Sequence, residues 1–169
     1  MESRDLLLTA FDNIEEIVRG TLDGIDPALL TARIDPEANT IAWLVWHLTR
    51  VQDDHVAEVA GTEQAYTDAG WADRFALPFD PRAYGYGMSS SDVGRTQVTD
   101  PQLLVDYHAD VHRRTAEFLR TLSSADLDRV VDERWDPPVT LGVRLVSVIG
   151  DDLQHAGQAA LLRGSLERR

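Results

Sequence analysis

Cysteine is absent from the 169 residues of this chain, which excludes disulfides, thiolate metal ligands and a cysteine nucleophile together. Any thiol in this protein's chemistry has to arrive with a substrate. No apolar run approaches the roughly 20 residues needed to cross a bilayer. Basic residues are also scarce, 16 against 29 acidic ones, for a formal net charge of −13. The acids are spread along the chain rather than gathered in a tail. Such a surface repels phosphate backbones and anionic lipids, so neither a nucleic-acid nor a membrane partner is expected. It serves solubility instead. Strand signals are weak too. The β-branched stretch Val143 to Ile149 continues into a 3.6-residue pattern through Ala159 and Leu162 and reads as helix.

A hydrophobic share of 43% is ordinary for a globular chain, and the length suits a single domain spanning residues 1–169. The opening residues Met1 to Asp5 carry both charge signs and lead straight into a helical pattern, unlike a secretory signal. A cytoplasmic location is expected.

Four long helices follow from the apolar spacing, which places the fold in the all-α class. The first runs from about Arg4 to Arg19 on Leu7, Leu8, Phe11, Ile14, Ile17 and Val18, before Gly20, Gly24 and Pro27 break the pattern. The second starts near Thr40 with Asn39 as its N-cap and ends at Gly61. The third begins at Pro101 after Asp100, the cap-then-proline order, and continues to about Leu122. A short helical turn is expected from Ser124 to Val131. The last helix is capped by Thr140 and ended by Gly164. Between the second and third helices, Thr62 to Thr99 is long for a compact bundle. It nevertheless holds Trp71, Phe75, Leu77, Phe79, Tyr84, Tyr86 and Met88, so it should pack, mostly as plain core. A crossover that leaves these two helices parallel explains both its length and its apolar content.

Helical geometry sorts the five histidines. His108 and His112 make an H-x-x-x-H pair, but at 100° per residue they lie about 60° and 100° from Val111 at the centre of the apolar stripe. They read as a partly outward polar face. His55 falls on the stripe of its own helix and reads as a packed core histidine. His47 sits in Ile41-Ala42-Trp43-Leu44-Val45-Trp46-His47-Leu48, a run apolar on nearly every side, so its imidazole needs buried partners. Asp54, two turns on, is a candidate acceptor for it. On the last helix Asp151 and His155 are four residues apart and can converge on one point. Asp152 is also close. Two carboxylates beside a histidine on a half-buried face call for a positive partner. That partner is either Arg144 within a buried polar network, or a divalent cation held by His47, Asp151 and His155. The second arrangement would leave coordination positions open.

The elements Thr40-Ile41-Ala42-Trp43-Leu44-Val45-Trp46-His47-Leu48 and Asp151-Asp152-Leu153-Gln154-His155-Ala156-Gly157-Gln158, followed by Leu162-Arg163-Gly164, resemble the DinB-like superfamily. The chain is most similar to its actinobacterial branch of mycothiol-dependent transferases and maleylpyruvate isomerase. Gly85-Tyr86-Gly87-Met88-Ser89-Ser90 carries the same likeness, which extends over nearly the whole chain. The resemblance implies a four-helix bundle of up-down-down-up order with the long crossover between helices two and three. It also implies a metal triad that maps onto His47, Asp151 and His155. Many members have histidine at the position of Asp151, and the isomerase-like members have glutamate. Aspartate keeps the carboxylate on a side chain one methylene shorter.

The activity implied is transfer of a low-molecular-weight thiol, mycothiol, to a small electrophile, with zinc, nickel or iron as the divalent metal. The absence of protein cysteine agrees with a thiol cosubstrate. No separate general base stands out, Asp54 and Asp152 being the nearest candidates. The competing expectation is a non-catalytic stress protein that binds a metal or small molecule in the same pocket. A homodimer formed through helix faces is compatible with such bundles.

Overall fold

Most of the chain lies in four long helices of the computed structural model, which describes residues 2–168. In chain order the elements are α1 (Ser3–Leu22), α2 (Pro27–Leu30), α3 (Ile41–Ala60), α4 (Ala65–Asp68), α5 (Trp71–Phe75), α6 (Ser90–Arg95), α7 (Pro101–Thr121), a 3-10 turn (Ser124–Asp128), β1 (Val130–Asp132), β2 (Val139–Thr140) and α8 (Leu141–Leu166). Met1 and Arg169, the ends of the expected 1–169 domain, lie outside the described residues.

Local chemistry sets the helix ends. Thr40, not Asn39, caps α3: its hydroxyl accepts from the Trp43 amide at 3.1 Å. Gly61 closes α3 in the left-handed region, at φ 69, where glycine carries no Cβ penalty. Asp100 caps α7 by accepting from Gln102 N at 2.9 Å, ahead of Pro101. Two glycines expected to break helices do not. Gly20 lies inside α1 and Gly164 inside α8. Packing on neighbouring helices outweighs the roughly 1 kcal/mol helix penalty of glycine. The turn expected over Ser124 to Val131 is a 3-10 turn that gives way to β1. Val130 and Asp132 pair antiparallel with Thr140 and Val139, a ribbon too short to show in the hydrophobic pattern.

Long-range contacts give the helix directions. The first turn of α1 meets the end of α7, where Arg4 donates to Leu122 O, and Asp12 meets His112, so α1 and α7 are antiparallel. Thr49 with His108 and Gln52 with Thr115 advance together along α3 and α7, which are therefore parallel. His47 meets His155 while His55 meets Arg144, so α3 and α8 are antiparallel. Arg163 near the end of α8 donates to the Gly20, Thr21 and Asp23 carbonyls at the end of α1. The order is up-down-down-up. Each long helix packs on two others, with α3 and α8 sharing the most extensive seam.

The crossover explains why α3 is buried all round from Ile41 to Asp53. Trp71 and Phe75 pack against Tyr107, while Phe79 and Tyr66 pack on Trp46. Tyr86 differs, being 86% exposed. Arg50, fully buried on α3, staples the segment down. It donates to Ala83 O at 3.2 Å, Pro81 O at 3.1 Å and Gln64 Oε1 at 2.9 Å, and lies over the Tyr66 ring. Its counter-charge is the buried Asp53, at 3.5 Å, which also accepts from Tyr107 and from the Ala65 and Tyr66 amides.

Candidate metal centre

The seam between α3 and α8 brings His47, Asp151 and His155 together. One donor atom from each lies within 4.8 Å of the other two. Two turns into α3, His47 points at α8, where the i, i+4 spacing stacks Asp151 beneath His155. The two rings meet edge to face with centroids 4.8 Å apart, and His155 Nε2 is 3.7 Å from Asp151 Oδ1.

The outer nitrogens of both imidazoles are engaged. His47 Nδ1 bonds the Tyr84 carbonyl, and His155 Nδ1 faces Gln158 Oε1 at 3.3 Å. Both bonds select the tautomer that carries the proton on Nδ1 and leaves the Nε2 lone pair free, the arrangement a metal-binding histidine needs. Burial pushes the His47 pKa down, with the Tyr84 bond opposing and His155 adding to the fall, so its ring is neutral at pH 7. Trp43 stacks on His47, with centroids 4.6 Å apart at 19°, and donates its own N–H to Met88 Sδ at 3.5 Å. Gly85 is required here. It adopts φ +99, and a Cβ on it would fall inside contact distance of His47 Nδ1.

The donor set fits a divalent cation. Ligand atoms at about 2.1 Å from one tetrahedral ion stand about 3.4 Å apart, close to the 3.7 Å between His155 and Asp151. Asp151 Oδ2 is buried and has no hydrogen-bond partner, the condition a cation would relieve. Two imidazoles and one carboxylate also suit zinc, nickel or iron.

Other expected roles fall elsewhere. Asp152 stands outside the cluster. It is fully buried with neither oxygen partnered, and burial, with Asp151 second, pushes its carboxyl well above the usual range. Arg144 pairs with neither aspartate. It donates to Asp132 Oδ2 at 3.1 Å, because the β1–β2 ribbon, which the sequence did not reveal, brings Asp132 to it. Asp54 does not serve His47 either; it accepts from Gln64 Nε2 at 2.6 Å.

His55 is half-buried rather than core, beside Arg144 and Asp54. His108 is not on an outward face. The ring is buried against α3, with Nδ1 at 3.0 Å from the Thr49 hydroxyl, and burial lowers its pKa to about 3. Helix α3, parallel and adjacent, covers the side of α7 that a single-helix projection leaves open. His112 meets Asp12 of α1 at 3.1 Å. Sequence reasoning did not single out Tyr84, Gly85, Trp43 or Arg50 for these roles. Only Arg50 left a signal, a lone cation one turn beyond His47 in a helix apolar all round. A cavity of about 620 Å3 between α3 and α7, lined by Val56, Val111 and Phe118 among others, contains none of the three donors.

An up-down-down-up bundle with this cluster on its α3–α8 seam is a bundle of the DinB-like class. The chain belongs to the mycothiol-S-transferase family, whose model matches residues 6–168. It is also similar to a solved structure described as the crystal structure of the conserved protein of locus from Enterococcus faecalis, with 29% identity, a TM-score of 0.90 and 96% of each chain covered. A search among curated proteins found no match.

Proposed function

We propose that this protein is a metal-dependent S-transferase that joins a low-molecular-weight thiol, mycothiol, to a small electrophile. His47, Asp151 and His155 hold its divalent cation. The observation that carries the reading is the convergence of these three side chains in a chain of the mycothiol-S-transferase family. These three side chains would hold a divalent cation, which when bound would supply Lewis-acid chemistry, lowering the pKa of a thiol so that its sulfur is available as a nucleophile. The thiol proton leaves to solvent, a sulfur–carbon bond forms, and the electrophile releases its leaving group or, in an addition, takes up a proton.

The chain's own groups orient and shield. Tyr84 O and Gln158 Oε1 fix the two ring tautomers, and Trp43 covers one face of His47. Asp152 is sealed from solvent and does not reach a substrate. With no cysteine of its own, the protein depends on an external thiol, which a reducing cytoplasm keeps available. No described helix is long and apolar enough to cross a membrane.

The test is metal analysis of purified and reconstituted protein, followed by conjugation assays with mycothiol and simpler thiols. The reading expects bound metal and turnover with mycothiol, both lost in His47→Ala and His155→Ala. Wild type that stays metal-free after reconstitution, or turnover indifferent to both substitutions, would refute it. Metal without turnover under any thiol would point to a binding protein.

A further inference from the structure

The outward side of α8 is apolar and uncharged over most of its length. Val143, Val146, Leu153 and Leu161 leave between 39% and 68% of their surface exposed. At about 100° per residue all four fall within about 80° of one another. Between them the same side holds only serine, glycine, glutamine and alanine. The helix turns its charged groups elsewhere. Arg144 donates to Asp132, Asp151 and His155 converge with His47, Asp152 is buried, and Arg163 donates to carbonyls at the end of α1. Helix α1 packs beside α8 and continues the face. Its Asp12 meets α7, whereas Leu6, Asn13 and Ile17 lie about 100–140° round the helix from Asp12, on the α8 side. Leu6 is 58% exposed.

Two glycines stand in the middle of this stripe. Gly150 and Gly157 each cost the helix about 1 kcal/mol relative to alanine, yet a Cβ at either would meet nothing within 4 Å. Packing inside the bundle gives no reason for them; a second backbone passing at close range does. Charge says which partner that is. The formal net charge is −13, and exposed acids such as Asp5, Asp12, Glu16 and Glu117 cover the outward sides of α1 and α7. A basic partner is drawn to those sides and gains nothing from an uncharged one. Two copies of this chain repel through their acidic sides and approach closely only where charge is absent. The size is also sufficient. From Val143 to Leu161 the face runs about 27 Å, and two helices side by side make it about 20 Å wide. Its plan area of about 540 Å2, enlarged by the relief of the side chains, approaches the roughly 600–1,000 Å2 per copy that stable interfaces bury.

We infer that this face pairs with the same face of a second copy, α8 against α8 in antiparallel order, about a two-fold axis near Leu153. Such isologous pairing sets Val143 of one copy over Leu161 of the other. Gln158, exposed at the edge of the face with its amide oxygen 3.3 Å from His155 Nδ1, is covered by the second copy. Pairing thus seats the dimer beside the donor cluster and keeps water from competing for that bond. It does not depend on the metal reading, since none of the three donors enters the face.

The test is sedimentation equilibrium of the full-length protein, with and without zinc, across micromolar concentrations. A dimer is expected in both conditions. Val146→Glu and Leu161→Glu each bring a pair of like charges into a symmetric interface and should weaken association at least about 100-fold. Thr121→Glu on α7, diagonally across the bundle, adds the same charge and should leave association unchanged. All three positions are exposed, and circular dichroism reports whether the variants stay helical. The chain has no cysteine, so Leu153→Cys supplies a second readout: near the axis, a short bismaleimide should link two copies, which it should not do for Thr121→Cys. A wild-type monomer throughout, alone or with another protein held on this face, overturns the inference. So does a dimer that survives both α8 substitutions, or a Leu153→Cys variant that cross-links no better than Thr121→Cys.

Discussion

Replacing Gly85 with alanine should disable the cluster without touching any of its three donors. The backbone at Gly85 has φ +99, where a Cβ is strained by about 1–3 kcal/mol. The new methyl would also overlap the His47 imidazole at Nδ1. The ring must then swing away from the Tyr84 carbonyl, leaving a buried N–H unpaired at about 1–3 kcal/mol. Together Gly85→Ala should lose about 3 kcal/mol of stability. If His47 holds a metal as proposed, loss of the bond that orients its ring should weaken metal affinity by about 10–100-fold.

Gly87 is the matched control. It too has a positive φ, +72, but nothing lies within 4 Å of its Cβ position. Gly87→Ala should therefore show the backbone strain and leave metal affinity at the wild-type value. Urea unfolding and competitive zinc titration of both variants make the comparison. If Gly85→Ala is as stable as Gly87→Ala and binds zinc like wild type, the argument that the loop backbone holds His47 is wrong.

Asp151→Asn should weaken zinc binding by at least about tenfold, whereas Asp152→Asn should retain it, because Asp152 stands outside the donor group; isothermal titration of both distinguishes them. Arg50→Met should destabilise by about 3–5 kcal/mol, since it strands the buried Asp53 and frees the Pro81 and Ala83 carbonyls; an unchanged urea midpoint would contradict the staple. His108 has a folded pKa of about 3 against about 6.5 in an unfolded chain. Between those values the unfolded state binds the extra proton, so this histidine's contribution is complete above pH ~6.5 and declines as the pH falls, by about 1.4 kcal/mol per unit. His108→Gln should flatten that slope relative to wild type in urea titrations across the window, and parallel profiles would refute the buried, neutral assignment.

The helices are legible in the sequence because each carries its signals within a few residues: an apolar stripe, a cap, a terminal glycine. The long crossover is legible as a packed segment from its aromatic content. Expectation and structure part where a neighbouring element decides. His108 looks half-exposed on α7 taken alone, yet α3 lies parallel against it and buries it. Arg144 is a reasonable partner for Asp151 or Asp152 until the small ribbon brings Asp132 to it. Gly164 looks like a stop, yet α8 continues to Leu166, where Arg163 is anchored on the α1 terminus.

By itself, then, the sequence determined the helical class, the absence of any thiol of its own, and the pairing of Asp151 with His155, which depends only on the rise and twist of one helix. The tertiary structure decided what surrounds those donors. It set His47 opposite them by aligning α3 antiparallel to α8. It left Asp152 outside the group and gave both histidines their hydrogen-bond acceptors. Those relations join residues far apart in the chain through packing, and no local pattern encodes them.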